Sequence, residues 1–244
     1  VDTADLEALT EEAIVAILKD LDPHSAYISK KDVEKANEPL VGSFEGIGVT
    51  FQIFQDTILV ISPVPGGPSD RVGIMAGDKI VTIDGEDAFG EKVNNEYVAS
   101  HLRGKKGTKV TLGIKRGKND ELIDYEVVRD KIPLNSIDAA FMLDKNVGYI
   151  KLDRFAQTSN TEFEESLAKL KTQKMKSLIL DLRGNTGGYL NIAAELSNQF
   201  LKKDMTIVYT EGDKSPKQIF NTDKNGKFTD GKLIILIDEG SASA

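Results

Sequence analysis

At the start of the chain, apolar residues recur at spacings of three and four. This spacing places them on one face of a helix over residues 3–21. Pro23 is expected to end that helix, because its ring disfavours helical geometry at the preceding residue. A turn and a second, shorter helix are predicted within residues 22–39. Because this segment has little core of its own, we expect it to pack on a larger domain or on a second subunit. The apolar stripe consists of Leu6, Leu9, Ala13, Ile17 and Leu21.

Strand patterns dominate the next stretch of the chain. Short β-branched runs alternate with Gly and Pro over residues 42–85, and two more such runs lie at 108–117 and 122–130. Runs bounded by turn residues in this way predict β-strands. The run NNEYVASHLRG predicts one helix, with Val98 and Leu102 on the same face. Because strands outnumber helices here, we predict a small, partly open barrel.

After Ile132 the pattern changes to strands that alternate with helices. This alternation is typical of parallel βαβ units with both faces of the sheet covered. The continuous apolar runs SLILDL and KLIILI favour buried, central strands. In chain order, the predicted elements are strand 147–155, helix 159–173, strand 177–183, helix 187–201, strand 205–212 and strand 232–238.

The predicted fold class is mixed α/β, with a helical segment at 1–40, a β-rich module at 41–130 and an α/β region at 131–244. The formal net charge of −8 comes without a basic stripe, which argues against a nucleic-acid partner. No apolar run approaches the roughly 20 residues of a membrane-spanning helix, and the first residues show no signal-peptide pattern. The chain has no Cys, which excludes disulfides and Cys nucleophiles and suits an oxidising compartment.

One candidate for chemistry is the glycine-rich turn at 184–188, which leads from a predicted buried strand into a helix. The unpaired N–H groups of a helix start can bind an anion, either a phosphate or a transient oxyanion. A phosphate loop requires Gly-Lys-Ser/Thr, and this turn has no Lys, so we discount nucleotide binding. An ordinary turn between a strand and a helix explains the same residues equally well.

The other candidate is the turn after KLIILID, which carries Ser241 and Ser243. Ligand sites gather at the carboxyl ends of strands in open α/β sheets, and a serine on a tight turn there is well placed as a nucleophile. The simpler alternative is that one serine caps a helix. A nucleophilic serine needs a base, yet His24 and His101 both lie outside the α/β region. We therefore expect no Ser-His-Asp triad. A Ser-Lys pair remains, although no Lys in the chain is a good candidate.

A metal site is not predicted. The run NTDKNG at 221–226 matches the first half of a calcium-binding loop, but the twelfth position is Lys232, where such a loop needs Glu. We predict a hairpin turn at Asn225 and Gly226 instead.

Four groups of residues occur in a fixed order: DPHSAYIS; GSFEGIGVTF with SPVPGGPSDRVGIMAGDKIVTIDG; VGYIKLDRFAQTS with LILDLRGNTGG; and EGSASA. In this order the chain resembles the carboxyl-terminal processing proteases, also called tail-specific proteases, over nearly its whole length. The resemblance implies an amino-terminal helical segment, a PDZ domain and a protease core in the three parts defined above. It also implies serine endopeptidase activity near the C-termini of protein substrates, no cofactor, and a location in the periplasm or cell envelope.

For the catalytic site, the resemblance implies that Ser243 is the nucleophile and that Ser241 supports it. It implies an oxyanion hole formed by the N–H of Gly187 or Gly188 together with the N–H of Ala244. In the family, the general-base lysine and an assisting glutamine lie further along the chain, so these 244 residues are expected to lack them and to be inactive alone.

For the PDZ part, the loop before residue 49 is expected to offer N–H groups to the terminal carboxylate of a substrate. The substrate tail then adds as a strand beside residues 49–54. Arg103 resembles a family position that links the PDZ domain to the core. The residues assigned to peptide binding are Gly46, Ile47, Gly48, Val49, Val98, Leu102 and Arg103.

Two other functions stay open from the sequence. One is a PDZ scaffold or pseudoprotease that captures protein tails without cutting them, and the other is an acyl hydrolase that uses the same α/β turn. The expected partners are proteins or peptides with free C-termini, and a homo-oligomer through the amino-terminal helices is also open.

Overall fold

The computed structural model describes residues 5–21, 25–30, 32–117 and 121–243. Its helices are α1 (Leu6–Lys19), α2 (Val33–Val41), α3 (Pro68–Val72), α4 (Asn95–Leu102), α5 (Ser159–Thr172) and α6 (Leu190–Ser197). Its strands are β1 (Ser43–Gly46), β2 (Val49–Phe54), β3 (Thr57–Pro63), β4 (Lys79–Ile83), β5 (Glu86–Asp87), β6 (Lys109–Lys115), β7 (Ile123–Val128), β8 (Asp130–Pro133), β9 (Ile137–Met142), β10 (Val147–Leu152), β11 (Ser177–Asp181), β12 (Thr206–Gly212), β13 (Ser215–Asn221) and β14 (Lys232–Leu236).

The two predicted amino-terminal helices are present as α1 and α2. Asp5 begins α1, because its carboxylate accepts hydrogen bonds from the amides of Glu7 and Ala8. No residue of α1 is buried, and most of its apolar stripe faces outward. The expected end of this helix at Pro23 lies outside the described residues, as does His24. No helix among the described residues has the length and apolar character needed to cross a membrane.

The β-rich module contains one antiparallel sheet in the order β2-β3-β4-β6-β7, with β5 paired to β4. Ile58, Ile80, Leu112 and Ile114 are fully buried in its core. In the described part of the chain, β2 and β7 are the end strands, so the sheet stays open as predicted. The pair β1 and β8 joins the two ends of the module.

The helix of this module, α4, is fixed at both ends. Asn94 caps its start by accepting a 2.8 Å hydrogen bond from the amide of Tyr97. At its end, the Arg129 guanidinium donates to the carbonyls of His101 and Leu102, which a helix leaves without intrahelical partners. These contacts hold α4 against the sheet.

The α/β region has a four-stranded sheet in the order β14-β11-β10-β9. The strands β10, β11 and β14 are parallel, and β9 is antiparallel to β10. The βαβ prediction is therefore confirmed for these three strands, with α5 as the crossover from β10 to β11. The core here includes Phe163, Leu167 and Leu170 of α5 and Ile150 of β10, all buried.

Three details of the sequence prediction are wrong in this region. The strand at 205–212 does not join the parallel sheet, because β12 forms a separate antiparallel hairpin with β13. The strand β14 lies at the edge of the sheet, where Ile234 and Ile235 are half-exposed, so it is not a buried central strand. The hairpin turn is at 213–214, whereas Asn225 and Gly226 lie in the loop that leads to β14.

Candidate active site and peptide groove

A groove of about 670 Å³ lies between α4 and the strand β2. The α4 side contributes the buried side chains of Val98 and Leu102, and the β2 side contributes Val49 and Phe51. Among the described residues, β2 is the end strand of its sheet. Its outer edge is therefore open to an added strand. A peptide that pairs with this edge would place alternate side chains against α4.

The loop between β1 and β2 forms part of the groove wall. Ile47 and Gly48 line the groove, whereas Gly46 does not and pairs instead with Asp130 of β8. Gly48 has a φ of +71°, and its amide donates to no acceptor among the described residues. That amide is therefore available to a carboxylate. Of the predicted peptide-binding residues, all except Gly46 line the groove.

Arg103 lines the groove and contacts the amino-terminal segment. Its guanidinium pairs with the carboxylate of Glu38 on α2 and lies 4.8 Å from the centre of the Phe44 ring. Its ion pair thus joins the module to α2. The link from Arg103 to the protease core that the resemblance implies is not tested by this ion pair and stays a prediction.

The strand β11 delivers the glycine-rich turn to the carboxyl edge of the sheet. Asp181 at its end is buried and accepts hydrogen bonds from the Arg183 guanidinium and from the Tyr149 hydroxyl, at 2.6 Å each. These hydrogen bonds, first that of Arg183, hold the pKa of the Asp181 carboxyl well below its usual range. The charged carboxylate therefore fixes the start of the turn.

Asn185 organises the turn itself, and sequence reasoning missed it. It is 2% exposed, its amide nitrogen donates to the Leu152 carbonyl at 3.0 Å, and its amide oxygen accepts from Gly187 N–H at 2.8 Å. The Gly187 amide is thus already in use, whereas the Gly188 amide donates to no acceptor among the described residues. Of the two predicted oxyanion donors, Gly188 is the one with an available N–H.

Gly188 also has to be glycine for steric reasons. Its φ is +152°, and a β-carbon built on it would lie 2.3 Å from the carbonyl oxygen of Phe155. That carbonyl accepts the amide of Tyr189, and the amide of Phe155 donates to the Gly187 carbonyl, both at 2.9 Å. The turn is therefore clamped to the segment that follows β10.

The second turn, after β14, is held against the first by Asp238, another residue that sequence reasoning missed. Its carboxylate accepts from the amides of Gly184 at 2.8 Å and Gly240 at 3.0 Å. These bonds, first that of Gly184, lower the pKa of Asp238. The tendency of Asp and Asn to accept nearby backbone N–H groups at turns is the sequence signal that would have found both Asp238 and Asn185.

The two serines of this turn have different environments. The Ser241 hydroxyl donates to the Leu182 carbonyl at 2.7 Å and accepts from the Asp238 amide at 3.0 Å. Ser243 is exposed, and its hydroxyl has no partner among the described residues. Its φ is +61°, a left-handed conformation that is costly for a residue other than glycine and that clusters at functional sites.

Backbone contacts bring the two turns together. The Ala242 amide donates to the Asn185 carbonyl at 2.9 Å, so Ser243 follows a residue that is bonded to the glycine-rich turn. The third predicted oxyanion residue, Ala244, lies outside the described residues. The turns therefore meet at one edge of the sheet, as the sequence predicted from the carboxyl ends of two strands.

A cavity of about 620 Å³, which we call the turn cavity, opens beside this meeting point. Its lining comes from α2, from the segment after β10 and from the glycine-rich turn. The lining residues are Pro39, Leu40, Asp153, Arg154, Gly184, Thr186, Gly187 and Gly188.

The described residues near these turns offer no unengaged base. His101 is on α4, where its ring stacks on Tyr97 and its Nδ1 lies 2.7 Å from the Tyr97 carbonyl. The Lys151 ammonium donates to the Arg183 carbonyl and pairs with Asp153 at 3.3 Å. In the described ranges, no group of three or more His, Asp or Glu side chains suits a metal ion.

Two family models match different parts of the chain. The model of peptidase family S41 matches residues 146–244, and the PDZ domain model matches residues 46–127. These two matches contain the two turns and the groove, respectively.

Among similar proteins, carboxy-terminal processing protease CtpA of Bacillus subtilis (strain 168) is 35% identical over 241 residues, which are 98% of this chain and 51% of that protein. A probable CtpA-like serine protease of Staphylococcus aureus (strain N315) is 34% identical over 98% of this chain and 48% of its own length. A solved photosystem II D1 C-terminal processing protease is 23% identical, with a TM-score of 0.47 over 99% of this chain and 66% of that one.

The chain thus spans about half the length of the curated relatives that it matches. The alignments nevertheless cover 98% of this chain in both cases. The chain therefore contains an S41 peptidase region at residues 146–244 and a PDZ domain ahead of it at residues 46–127.

Proposed function

We propose that the full-length protein is a serine endopeptidase that cleaves protein substrates near their C-termini, with Ser243 as the nucleophile. The observation that carries this proposal is the state of Ser243, which is exposed, unpaired among the described residues and left-handed at φ +61°. Ser241 has the complementary state, because its hydroxyl is held by Leu182 and Asp238. We assign Ser241 to shaping the turn and Ser243 to the chemistry.

The proposed oxyanion hole uses the Gly188 amide, with Ala244 as the second donor by family resemblance. When Ser243 Oγ attacks the scissile carbonyl, the carbonyl oxygen becomes an oxyanion that needs N–H donors. The Gly188 amide suits this role, since Gly187 donates to Asn185 instead. By family resemblance, the base is a lysine beyond residue 244, and this lysine takes the Ser243 proton.

The proposed role of the PDZ groove is to capture the free C-terminal tail of the substrate. The Gly48 amide would receive the terminal carboxylate, and Val98 and Leu102 would contact the last side chain. Hydrogen bonds from N–H groups to an ionised carboxylate are among the stronger ones. This groove is independent of the serine, so it also supports the second candidate function, a PDZ scaffold that binds tails without cutting them.

The covalent test separates these two functions. The full-length protein is treated with a peptidyl fluorophosphonate, and the adduct is mapped by mass spectrometry. We expect an adduct on Ser243 in the wild type and in a Ser241→Ala control, and none in Ser243→Ala. An adduct on another residue would overturn the assignment. If no adduct forms, no peptide is cut and free-tailed peptides still bind, the protein is a scaffold.

Two wider features remain proposals. We propose that the exposed stripe of α1, which includes Leu9 at 52% and Ile17 at 64% exposure, pairs with the same stripe of a second copy. Analytical ultracentrifugation of the full-length protein and of an Ile17→Asp variant would test this, with a monomeric wild type as the contrary result. We also propose an extracytoplasmic location from the family resemblance, which cell fractionation would test.

A further inference from the structure

The turn cavity contains two charged side chains of opposite sign, Asp153 and Arg154. The Asp153 carboxylate lies 3.3 Å from the Lys151 ammonium, so a neighbouring cation compensates its charge. The Arg154 side chain is half-buried, and its guanidinium has no hydrogen bond or ion pair among the described residues. The cavity therefore presents one uncompensated positive charge in a chain whose formal net charge is −8.

The backbone around Arg154 is fixed relative to the glycine-rich turn. Phe155, the next residue, donates its amide to the Gly187 carbonyl at 2.9 Å and accepts the amide of Tyr189 at 2.9 Å. On the other side of the cavity, the amide of Gln157 donates to the Leu40 carbonyl at 2.9 Å. Arg154 is thus one residue from a direct contact with the turn that holds the proposed oxyanion donor.

The position of the cavity limits what can occupy it. Gly188 lines it, so a substrate whose scissile carbonyl reaches the Gly188 amide would carry its neighbouring residues past Arg154. A guanidinium has a planar set of donors that matches the two oxygens of a carboxylate. Proteins and peptides supply carboxylates in two ways, by Asp and Glu side chains and by the chain terminus. The terminus is already assigned to the groove of the PDZ domain.

We propose that Arg154 makes the proteolytic site select substrates with an acidic side chain close to the cleaved bond. The inference rests on the proposed function, since it assigns a specificity-determining residue to that reaction. Arg154 acts here by binding the substrate. It is not part of the oxyanion hole and does not transfer a proton.

The test uses the full-length protein and a set of peptides with the same apolar free C-terminus. Within the set, each residue near the cleaved bond is in turn Glu, Gln or Lys, and kcat/KM is measured for every peptide. We expect one position at which Glu exceeds Gln by about tenfold, because hydrogen bonds between a charged pair are stronger than those to a neutral amide. In Arg154→Gln this ratio should fall to about one, and in Arg154→Glu the Lys peptide should become the best.

A matched control removes one positive charge elsewhere. Lys145 is exposed in the turn before β10, at the opposite end of that strand from Arg154, so Lys145→Gln should keep the tenfold ratio. Because every comparison is a ratio within one variant, a general loss of activity from a disturbed turn does not imitate the effect.

The outcomes separate this inference from the proposed function. Cleavage with equal kcat/KM for Glu and Gln at every position would overturn the inference and leave the protease assignment in place. A Glu preference that survives in Arg154→Gln would also overturn the inference. A third contrary result is that amidation of the peptide terminus lowers activity only when Arg154 is present, which would assign the arginine to the terminal carboxylate. Absence of both cleavage and a Ser243 adduct would overturn both proposals.

Discussion

The peptide groove and the serine turn are built from different interactions. The groove belongs to one module, and its apolar walls at Val98 and Leu102 are also part of that module's buried core. The serine turn joins segments far apart in sequence, 182–187 and 238–243, mainly through hydrogen bonds. The groove therefore depends on packing that many residues share, whereas the geometry at Ser243 depends on a few polar contacts.

This difference has an energetic consequence. Packing is distributed, so one changed contact in the groove alters a part of a large apolar surface. A buried hydrogen bond is local, and removing one partner leaves the other unsatisfied at a cost of about 1–3 kcal/mol. We therefore expect single polar substitutions to impair catalysis while tail binding survives.

The largest expected effect abolishes turnover and leaves peptide binding unchanged. In the full-length protein, Ser243→Ala should lower turnover by roughly 10⁴-fold or more, since loss of a nucleophile removes the acylation route. Affinity for a free-tailed peptide, measured by calorimetry, should stay within about twofold of wild type. Ser241→Ala is the matched control and should retain measurable turnover. A folded Ser243→Ala variant with normal activity would contradict the assignment.

The next effect concerns the residue that holds the glycine-rich turn. Asn185→Ala should reduce kcat by about 10²-fold, because Gly187 N–H and the Leu152 carbonyl lose their partners and the turn relaxes. Asn185→Asp keeps the acceptor for Gly187 and should lie between wild type and Ala. Peptide affinity of the groove should not change in either variant. A parallel loss of affinity would show that the two sites are not separable in this way.

The third effect is on the affinity of the groove, and the experiment changes only the ligand. Amidation of the peptide terminus removes the charge that the Gly48 amide is proposed to bind, so affinity should fall by about 10- to 100-fold. Calorimetry with matched free and amidated peptides measures this difference. The protein is identical in both titrations, so folding cannot explain the result. Equal affinities would exclude carboxylate capture.

The smallest effect is the dependence of stability on pH. The pKa of Asp238 is lowered in the folded protein, first by the Gly184 amide, so its charged form contributes stability above the unfolded pKa of about 3.9. That contribution is lost as the pH falls below this value towards the lowered pKa. We expect wild type to be more thermally stable than Asp238→Asn at neutral pH, by a few degrees at most, and the difference to shrink in acid. A difference that grows in acid would contradict the sign.

The sequence predicted that the two turns meet, because this follows from the positions of the turns directly after two strands. The carboxyl ends of β11 and β14 were predicted to bring 184–188 and Ser243 together, because parallel strands end at the same edge of a sheet. The same reasoning could not choose between Gly187 and Gly188, since the choice depends on where the Asn185 side chain points. That orientation is a tertiary contact with Leu152, which the spacing of residues does not encode.

The fold was predicted less well where a strand pattern admits more than one partner. The run at 205–212 has the composition of a sheet strand, and only its pairing with β13 places it outside the parallel sheet. Likewise, the apolar run of β14 predicts a buried strand, because hydrophobicity indicates that a strand can be buried but not whether it is. The exposure of Ile234 and Ile235 depends on which neighbours are present.

At Ser243, the left-handed backbone conformation opposes folding stability to the catalytic role that we propose. Glycine adopts a φ of +61° without the steric cost of about 1–2 kcal/mol that a β-carbon imposes. A Ser243→Gly variant should therefore melt at a higher temperature than Ser243→Ala, and neither should turn over substrate. Selection for stability alone would replace this serine, so its persistence in a lineage would support the reaction that we propose for it.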